Sequence, residues 1–381
     1  MRAPRIFVFS HELSNTGAPL VLVDVLKQWY DRGDMPLDSM VFFTPYSERN
    51  SIDVINELES INITFKNLDS LARRFKQGDI VFLNTIAYPN YLFERILMAA
   101  NSGDVEHVFI YSHEHELAKM MDPASVELLS EALSSGHATL YASSKKSLSA
   151  FISTIGSSKG IILMPNRFDI RAEEFQAIES SRFDTIAFVM AGTTDIRKGQ
   201  LDAVYAFLAF YYFYYLGNEE QYRNFSLTII GASDANLPAI FYVERIKHAA
   251  LRLGDRIRLL DYSTMESFIE VIKESNISIL YSLFECLPRS IFDGMAYGHP
   301  IIRNDCGGID EQLVAGVNGW EVSLDDWQGF VDTIESVLNK EKTTNEELAA
   351  MSKASVDIAR QFEKVEYRVI DDILLTYTGS K

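Results

Sequence analysis

Phe284 to Trp320 reads FECLPRSIFDGMAYGHPIIRNDCGGIDEQLVAGVNGW, and this stretch decides the fold. The apolar run NISILYS, Asn276 to Ser282, precedes it and reads as a short buried strand. After it come a helix-length run, a Gly-His-Pro turn, the strand PIIRN, a double glycine and a second helix start. This is the pattern of two βα units with their loops on one edge. Ligands of open parallel sheets bind at the carboxyl ends of the strands, so Glu285 and the Cys306-Gly307-Gly308 loop are expected to face one crevice. Pro288 suits the first turn of a helix. Asp293 then lies about one and a half turns in, where a carboxylate can still turn back toward a ligand at the helix start.

Spacing says more than composition here. Glu285 and Asp293 are separated by seven residues, and after the x-Gly-x-Pro-Ile turn comes Gly-Gly-x-x-Glu, made of Gly307, Gly308 and Glu311. Together these resemble the E-x(7)-E and GG-x-x-E signature of retaining, GT-B-fold glycosyltransferases of family 4, with Asp293 standing for the second glutamate. The resemblance implies an α/β fold of two Rossmann-like, doubly wound domains facing a central cleft.

Length and composition are compatible with that. A chain of 381 residues is comfortable for two domains, and 47% hydrophobic with 23% charged residues is ordinary for a soluble globular protein. The net charge of −18 argues against nucleic acid and against strong attachment to anionic lipid, since both require clustered Lys and Arg. Cys286 and Cys306 fit no zinc spacing and read as small buried thiols rather than a bridge, as expected in a reducing compartment. RIFVFS at the N-terminus reads as a strand and has neither the apolar length nor the cleavage site of a signal peptide. The aromatic run AVYAFLAFYYFYYL, Ala203 to Leu216, falls short of the ~20 residues that span a bilayer and reads as a core helix of the second domain.

Arg5 to Phe9 is the first expected strand, and Gly17 to Trp29 the helix after it. Their loop lacks G-x-G-x-x-G, which speaks against a nicotinamide dehydrogenase. Gly17 lets backbone approach an anion or a sugar. Where Gly17 stands, the family often has Gly-Gly. Further strands are expected at Ser39 to Phe43, Ile80 to Leu83 and Val108 to Ser112, alternating with helices. VFIYS then runs into His113, Glu114, His115 and Glu116; their alternate spacing, with no Cys or His partner nearby, does not suit a metal site. The family has a histidine on the donor sugar at this strand end, with His113 in register and His115 the fallback; simple capping of the loop is the alternative. Gly156-Ser157-Ser158-Lys159-Gly160 matches G-x-S-x-G, but a helical run precedes it and a strand follows, the reverse of a nucleophile elbow.

Pro165 to Asp169 resembles the PNG-x-D segment that closes the first domain in the family, with Arg167 replacing glycine. The resemblance puts an acceptor-side domain at 1–170, a nucleotide-sugar domain at 171–364 and a helix crossing back at 365–381. Residues 171–184 read as the linker. Residues 1–166 hold 14 Lys and Arg against 19 Asp and Glu, which is −5 and leaves −13 for the remainder. The first domain is thus the better one to approach an anionic or membrane-borne acceptor, through candidates such as Arg73, Arg74 and Lys76.

In the second domain, the strand at Thr185 to Met190 leads into Ala191 to Gly199. The family reads G-R-x(4 or 5)-K-G here, with Arg and Lys on the nucleotide diphosphate. Lys198 and Gly199 match, Thr193 replaces the Arg, and Arg197 or Arg289 is the available substitute. Beyond Trp320, Thr344-x-x-Glu347 offers a capping box for a helix reaching about Phe362.

The function implied is metal-independent hexosyl transfer from a UDP-sugar or GDP-sugar to a glycan or lipid-linked acceptor, in bacterial cell-surface polysaccharide synthesis. Such an enzyme is cytoplasmic, with at most peripheral contact at the inner face of the membrane. Glu285 and His113 would be catalytic contacts. Lys198, Arg197, Asp293, Gly17, Leu287, Pro288, Arg289, Gly307 and Gly308 would hold the donor. No D-x-D occurs in the chain, which suits a site without metal. The alternative is a catalytically weak sugar-nucleotide-binding partner subunit, favoured by Thr193 and Asp293.

Overall fold

A computed structural model describes residues 4–14, 17–45, 50–68, 75–114, 117–168, 175–231, 237–261 and 264–379. The chain forms two compact units: Met1–Asp169 together with Lys364–Lys381, and Ile170–Glu363.

In the first unit the strands are β1 (Ile6–Phe9), β2 (Met40–Thr44), β3 (Phe65–Asn67), β4 (Asp79–Leu83), β5 (Val105–Ser112), β6 (Ala138–Ala142) and β7 (Ile161–Leu163). Their order is β3-β2-β1-β4-β5-β6-β7, and every ladder is parallel. IFVF in β1 and DIVFL in β4 are buried along their whole length, as central strands covered on both faces must be. The helix Arg368–Thr378 belongs to this unit. It sets Val369, Ile370 and Ile373 into the core that holds Ile6, Val8 and Tyr111.

The second unit carries β8 (Thr185–Ala191), β9 (Asn224–Ile230), β10 (Ile257–Leu260), β11 (Ile277–Leu280), β12 (Ile301–Asn304) and β13 (Gly319–Val322). The order is β10-β9-β8-β11-β12-β13, again all parallel. The chain builds outward from β8 on one side, then crosses to start β11 on the other. The strand order reverses there, and in open parallel sheets such a reversal is where ligands bind, outside the carboxyl ends of the strands.

Several expectations need correction. No α-helix starts at the double glycine; Gly308–Glu311 is a single 3-10 turn, and the chain proceeds to β13. β13 was not expected, because GWEV is only four residues long and half of it is unburied. β3 and β6 were also unread; FKN in β3 is a three-residue edge strand with no buried position. The aromatic run splits into a helix, Gln200–Phe210, and a π-helical turn, Tyr211–Tyr215, which leaves Phe213 81% exposed. The linker is partly core: Phe175 and Phe183 are buried, and Phe183 packs with Ile186 and Phe188.

The G-x-S-x-G segment sits between the helix Lys145–Ile155 and β7, the order that excludes a nucleophile elbow. Thr344 and Glu347 do form the capping box, with Thr344 N donating to Glu347 Oε2 at 2.7 Å and Glu347 N to Thr344 Oγ1 at 3.2 Å. The helix they open runs Asn345–Glu363.

Candidate active site

Three loops at the carboxyl edge of the second sheet bring charge together. After β8, Asp195 accepts a hydrogen bond from Arg197 N at 2.7 Å and caps the short turn Ile196–Lys198. Gly199 then takes φ +68, and any Cβ there would collide with the Tyr281 carbonyl oxygen. Glycine is what lets the β8 loop lie against the end of β11, a contact closed by Leu283 N donating to Arg197 O at 2.8 Å.

Beyond β11, the backbone of Glu285 bridges to the β12 loop, its N–H donating to Cys306 O at 2.6 Å. Gly307 has φ +118, and a Cβ there would strike the Glu285 carbonyl oxygen. The first glycine of the pair is thus a requirement of close backbone approach, whatever else it does. Asn304 ties the same loops, donating to Ser282 O at 2.7 Å.

These constraints place Glu285 beside two cations. Lys198 Nζ donates to Glu285 Oε1, and Arg197 Nη1 lies 3.4 Å from the same oxygen. The Lys198 and Glu285 side chains are only 15% and 11% exposed. Arg197 also stacks over Phe284, its guanidinium carbon 4.8 Å from the ring centroid. Two cations against one carboxylate leave local positive charge in a chain of −18, a setting that attracts an anion to this edge. Burial, then the Glu285 charge, push the Cys306 thiol up to about 12, so it stays protonated and inert.

The helix Arg289–Ala296 starts at the same edge, with Pro288 as N-cap and no side-chain cap. Its first turn points positive dipole toward the loops. Asp293 is buried, with Oδ1 3.9 Å from Arg289 Nε. Leu287 is buried, Pro288 O accepts from Gln312 Nε2 at 3.1 Å, and Gly308 opens the 3-10 turn. Lys198, Arg197, Glu285, Pro288, Arg289, Gly307 and Gly308 therefore share one edge of one unit.

His113 and Gly17 are in the other unit, where a second set of strand ends converges. His113 follows β5, Asn84 follows β4 and His11 follows β1. His113 Nε2 is 3.2 Å from Asn84 Oδ1. Burial foremost, and the neighbouring His11, push the His113 pKa down to about 3, against the opposing hydrogen-bonding influence of Asn166. The ring is neutral at physiological pH. Glu114 stays in the loop: it accepts from Thr85 Oγ1, from Ser112 Oγ at 2.8 Å and from His113 N at 3.0 Å. Gly17 begins the helix Gly17–Arg32 and has open space around it. His115, Glu116, Arg73 and Arg74 lie outside the described residues; Lys76 is exposed. Among the described residues no group of three or more His, Cys, Asp or Glu could hold a metal ion. Among the described residues, too, no helix is long and apolar enough to cross a membrane.

Sequence reasoning missed Phe284, Asp195, Asn304 and Asn84. Asp195 carried a signal, an Asx residue two positions before the residue whose N–H it accepts. Asn84 carried none, since its partners come from other strands.

Residues 172–355 match the family described as Glycosyl transferases group 1, and they cover nearly all of the second unit. D-inositol 3-phosphate glycosyltransferase of Mycolicibacterium smegmatis is 27% identical over 128 residues, 34% of this chain; the matched stretch spans 28% of that relative's length. Among solved structures, Anabaena Alr3699/HepE in complex with UDP-glucose superposes with a TM-score of 0.71 at 18% identity, over 99% of this chain and 100% of that one. A glycosyltransferase from Rickettsia africae gives 0.72 at 14%, over 100% and 99%. Sucrose-phosphate synthase from Thermosynechococcus elongatus gives 0.69 at 14%, over all of both chains. At these identities the likeness establishes the fold, which is GT-B.

Proposed function

We propose that this chain, whose residues 172–355 match the model of Glycosyl transferases group 1, moves a hexosyl group from a UDP-sugar or GDP-sugar to an acceptor hydroxyl, with retention and without metal. The observation that carries the reading is the Lys198, Arg197 and Glu285 cluster beside the open N-terminus of the helix Arg289–Ala296. Phosphoryl oxygens of a departing nucleoside diphosphate would take the place Glu285 now holds on Lys198. The two cations and the helix dipole would then stabilise charge as it develops on the leaving group. Glu285, released from that pair, would turn to the donor sugar, and His113 is read as a further sugar contact. Asp293 would accept from the ribose. The acceptor class is a glycan or a lipid-linked sugar of a bacterial surface polysaccharide, met in the cytoplasm at the inner face of the membrane.

A panel of UDP-, GDP- and ADP-sugars tests the donor. A ligand at 100 times its dissociation constant raises stability by ~2.7 kcal/mol, a readily measured shift in Tm. Product anomeric configuration by NMR, once an acceptor is found, tests retention; an inverted product would overturn it. Thr193, in the place of a cation, favours the second reading, a binder with weak turnover. Slow release of free nucleotide from a donor without acceptor supports transferase activity, whereas a donor that binds and is never cleaved supports the binder.

A further inference from the structure

We propose that Asn84 is a positioning residue that holds His113 in one neutral tautomer, Nε2 protonated and Nδ1 bare, so that Nδ1 accepts a hydrogen bond from a hydroxyl of the bound sugar. This rests on the reading of His113 as a contact to the transferred sugar. Asn84 is fully buried at the end of β4. Its amide nitrogen donates to the Ala18 carbonyl oxygen at 2.8 Å. A carbonyl oxygen can only accept, so the amide orientation follows, and Oδ1 is the atom that meets His113 Nε2 at 3.2 Å. Oδ1 cannot donate either, so Nε2 carries the proton and the lone pair of the neutral ring is on Nδ1.

Nδ1 is buried and meets no hydrogen-bond partner among the described residues. A shielded acceptor left bare is destabilising, and sites of this kind are filled by a donor from water or ligand. Glu114 fixes the backbone beneath the ring through Ser112, Thr85 and His113 N. Tyr111 packs on the ring with centroids 4.4 Å apart, and His11, facing it from the β1 loop, opposes its protonation. Asn166, whose Oδ1 already accepts from Tyr111 at 2.8 Å, is the competing acceptor.

Ring nitrogen shifts of the protein labelled with 15N-histidine test the tautomer, with His113 assigned by difference against His113→Gln. The expected result at pH 7 is a protonated Nε2 and an unprotonated Nδ1. An Nδ1–H tautomer, directed at Asn166, or a doubly protonated ring overturns the proposal. Asn84→Asp should raise the pH at which the ring charges and lower kcat/KM about tenfold or more by turning Nδ1 into a donor. If that variant does not fold, the parent decides the matter with UDP-glucose and its single deoxy analogues as probes. One analogue should lose about tenfold in kcat/KM on the parent and much less on His113→Gln. A donor that binds by Tm shift yet leaves the Nδ1 signal unmoved overturns the hydroxyl contact while leaving the proposed function standing. Absence of binding by any nucleotide sugar sinks the proposed function, and the hydroxyl contact with it, even if the tautomer is as stated.

Discussion

The carboxyl edges of the two sheets are built alike and equipped differently. Each lies where the strand order reverses, at β1 and β4 in one unit and at β8 and β11 in the other. At β8 and β11 the loops converge on Lys198, Arg197 and Glu285. At β1, β4 and β5 they converge on the neutral pair Asn84 and His113, with the Glu114 carboxylate absorbed by hydroxyl and backbone donors. One topology therefore presents a fixed field at one edge and directional hydrogen bonds at the other. A diphosphate is held by the first kind of site, and a sugar hydroxyl is told from its absence by the second.

The sharpest way to break this contrast is Glu285→Gln. It keeps shape and removes the charge, and turnover should fall by roughly 10²- to 10³-fold, the scale of losing one electrostatic contact made in the transition state. Nucleotide affinity should hold or rise, because Glu285 no longer competes with the phosphates for Lys198. Transfer at the parent rate would leave the binder reading as the better one.

Acid sensitivity probes the charged unit from behind its edge. His299 is fully buried, its Nε2 donating to Ile272 O at 3.0 Å and its Nδ1 accepting from Ser278 Oγ at 2.9 Å, and burial lowers its pKa to about 4. Since folding lowers that pKa from 6.5, the cost is absent above pH 6.5 and grows as pH falls toward 4. One pKa unit is 1.36 kcal/mol, so the loss amounts to about 3 kcal/mol. His299→Gln should flatten this limb of Tm against pH, and parallel limbs in parent and variant would refute it.

Gly307→Ala should destabilise the second unit by roughly 2–3 kcal/mol, through the clash with Glu285 O and the strained φ. Gly17→Ala, in open space at a helix start, should leave the stability within about 1 kcal/mol of the parent or above it. Equal shifts in the two would mean that close backbone approach does not set the need for glycine. Lys198→Ala should weaken nucleoside-diphosphate binding by roughly 1.5–3 kcal/mol with the fold intact, measured by calorimetry. Unchanged affinity would move the diphosphate elsewhere.

Much of the second unit was legible in the chain. ISIL, the Gly-His-Pro turn and the helix after Pro288 were readable because apolar runs and Pro and Gly chemistry are local. The double-glycine stretch misled because Gly308 followed by acids looks like a helix start, while the backbone bridge from Gly307 to Glu285 holds the chain in a single 3-10 turn. β13 and β3 were missed for a related reason: a strand of three or four residues is made by the ladder it joins.

By itself the sequence determined the central apolar strands such as IFVF and ISIL, where Thr344 caps a helix, and that Lys198 and Gly199 close a loop, since these depend on neighbours within a few residues. It could not determine what Lys198 touches. Lys198 and Glu285 are 87 residues apart and Asn84 and His113 are 29 apart, and each pair meets because two strands lie side by side in a sheet. Strand order is set by how whole helices and sheet faces bury one another. A side chain at the end of a strand therefore acquires its partner from tertiary packing, whatever its own neighbours in the chain encode.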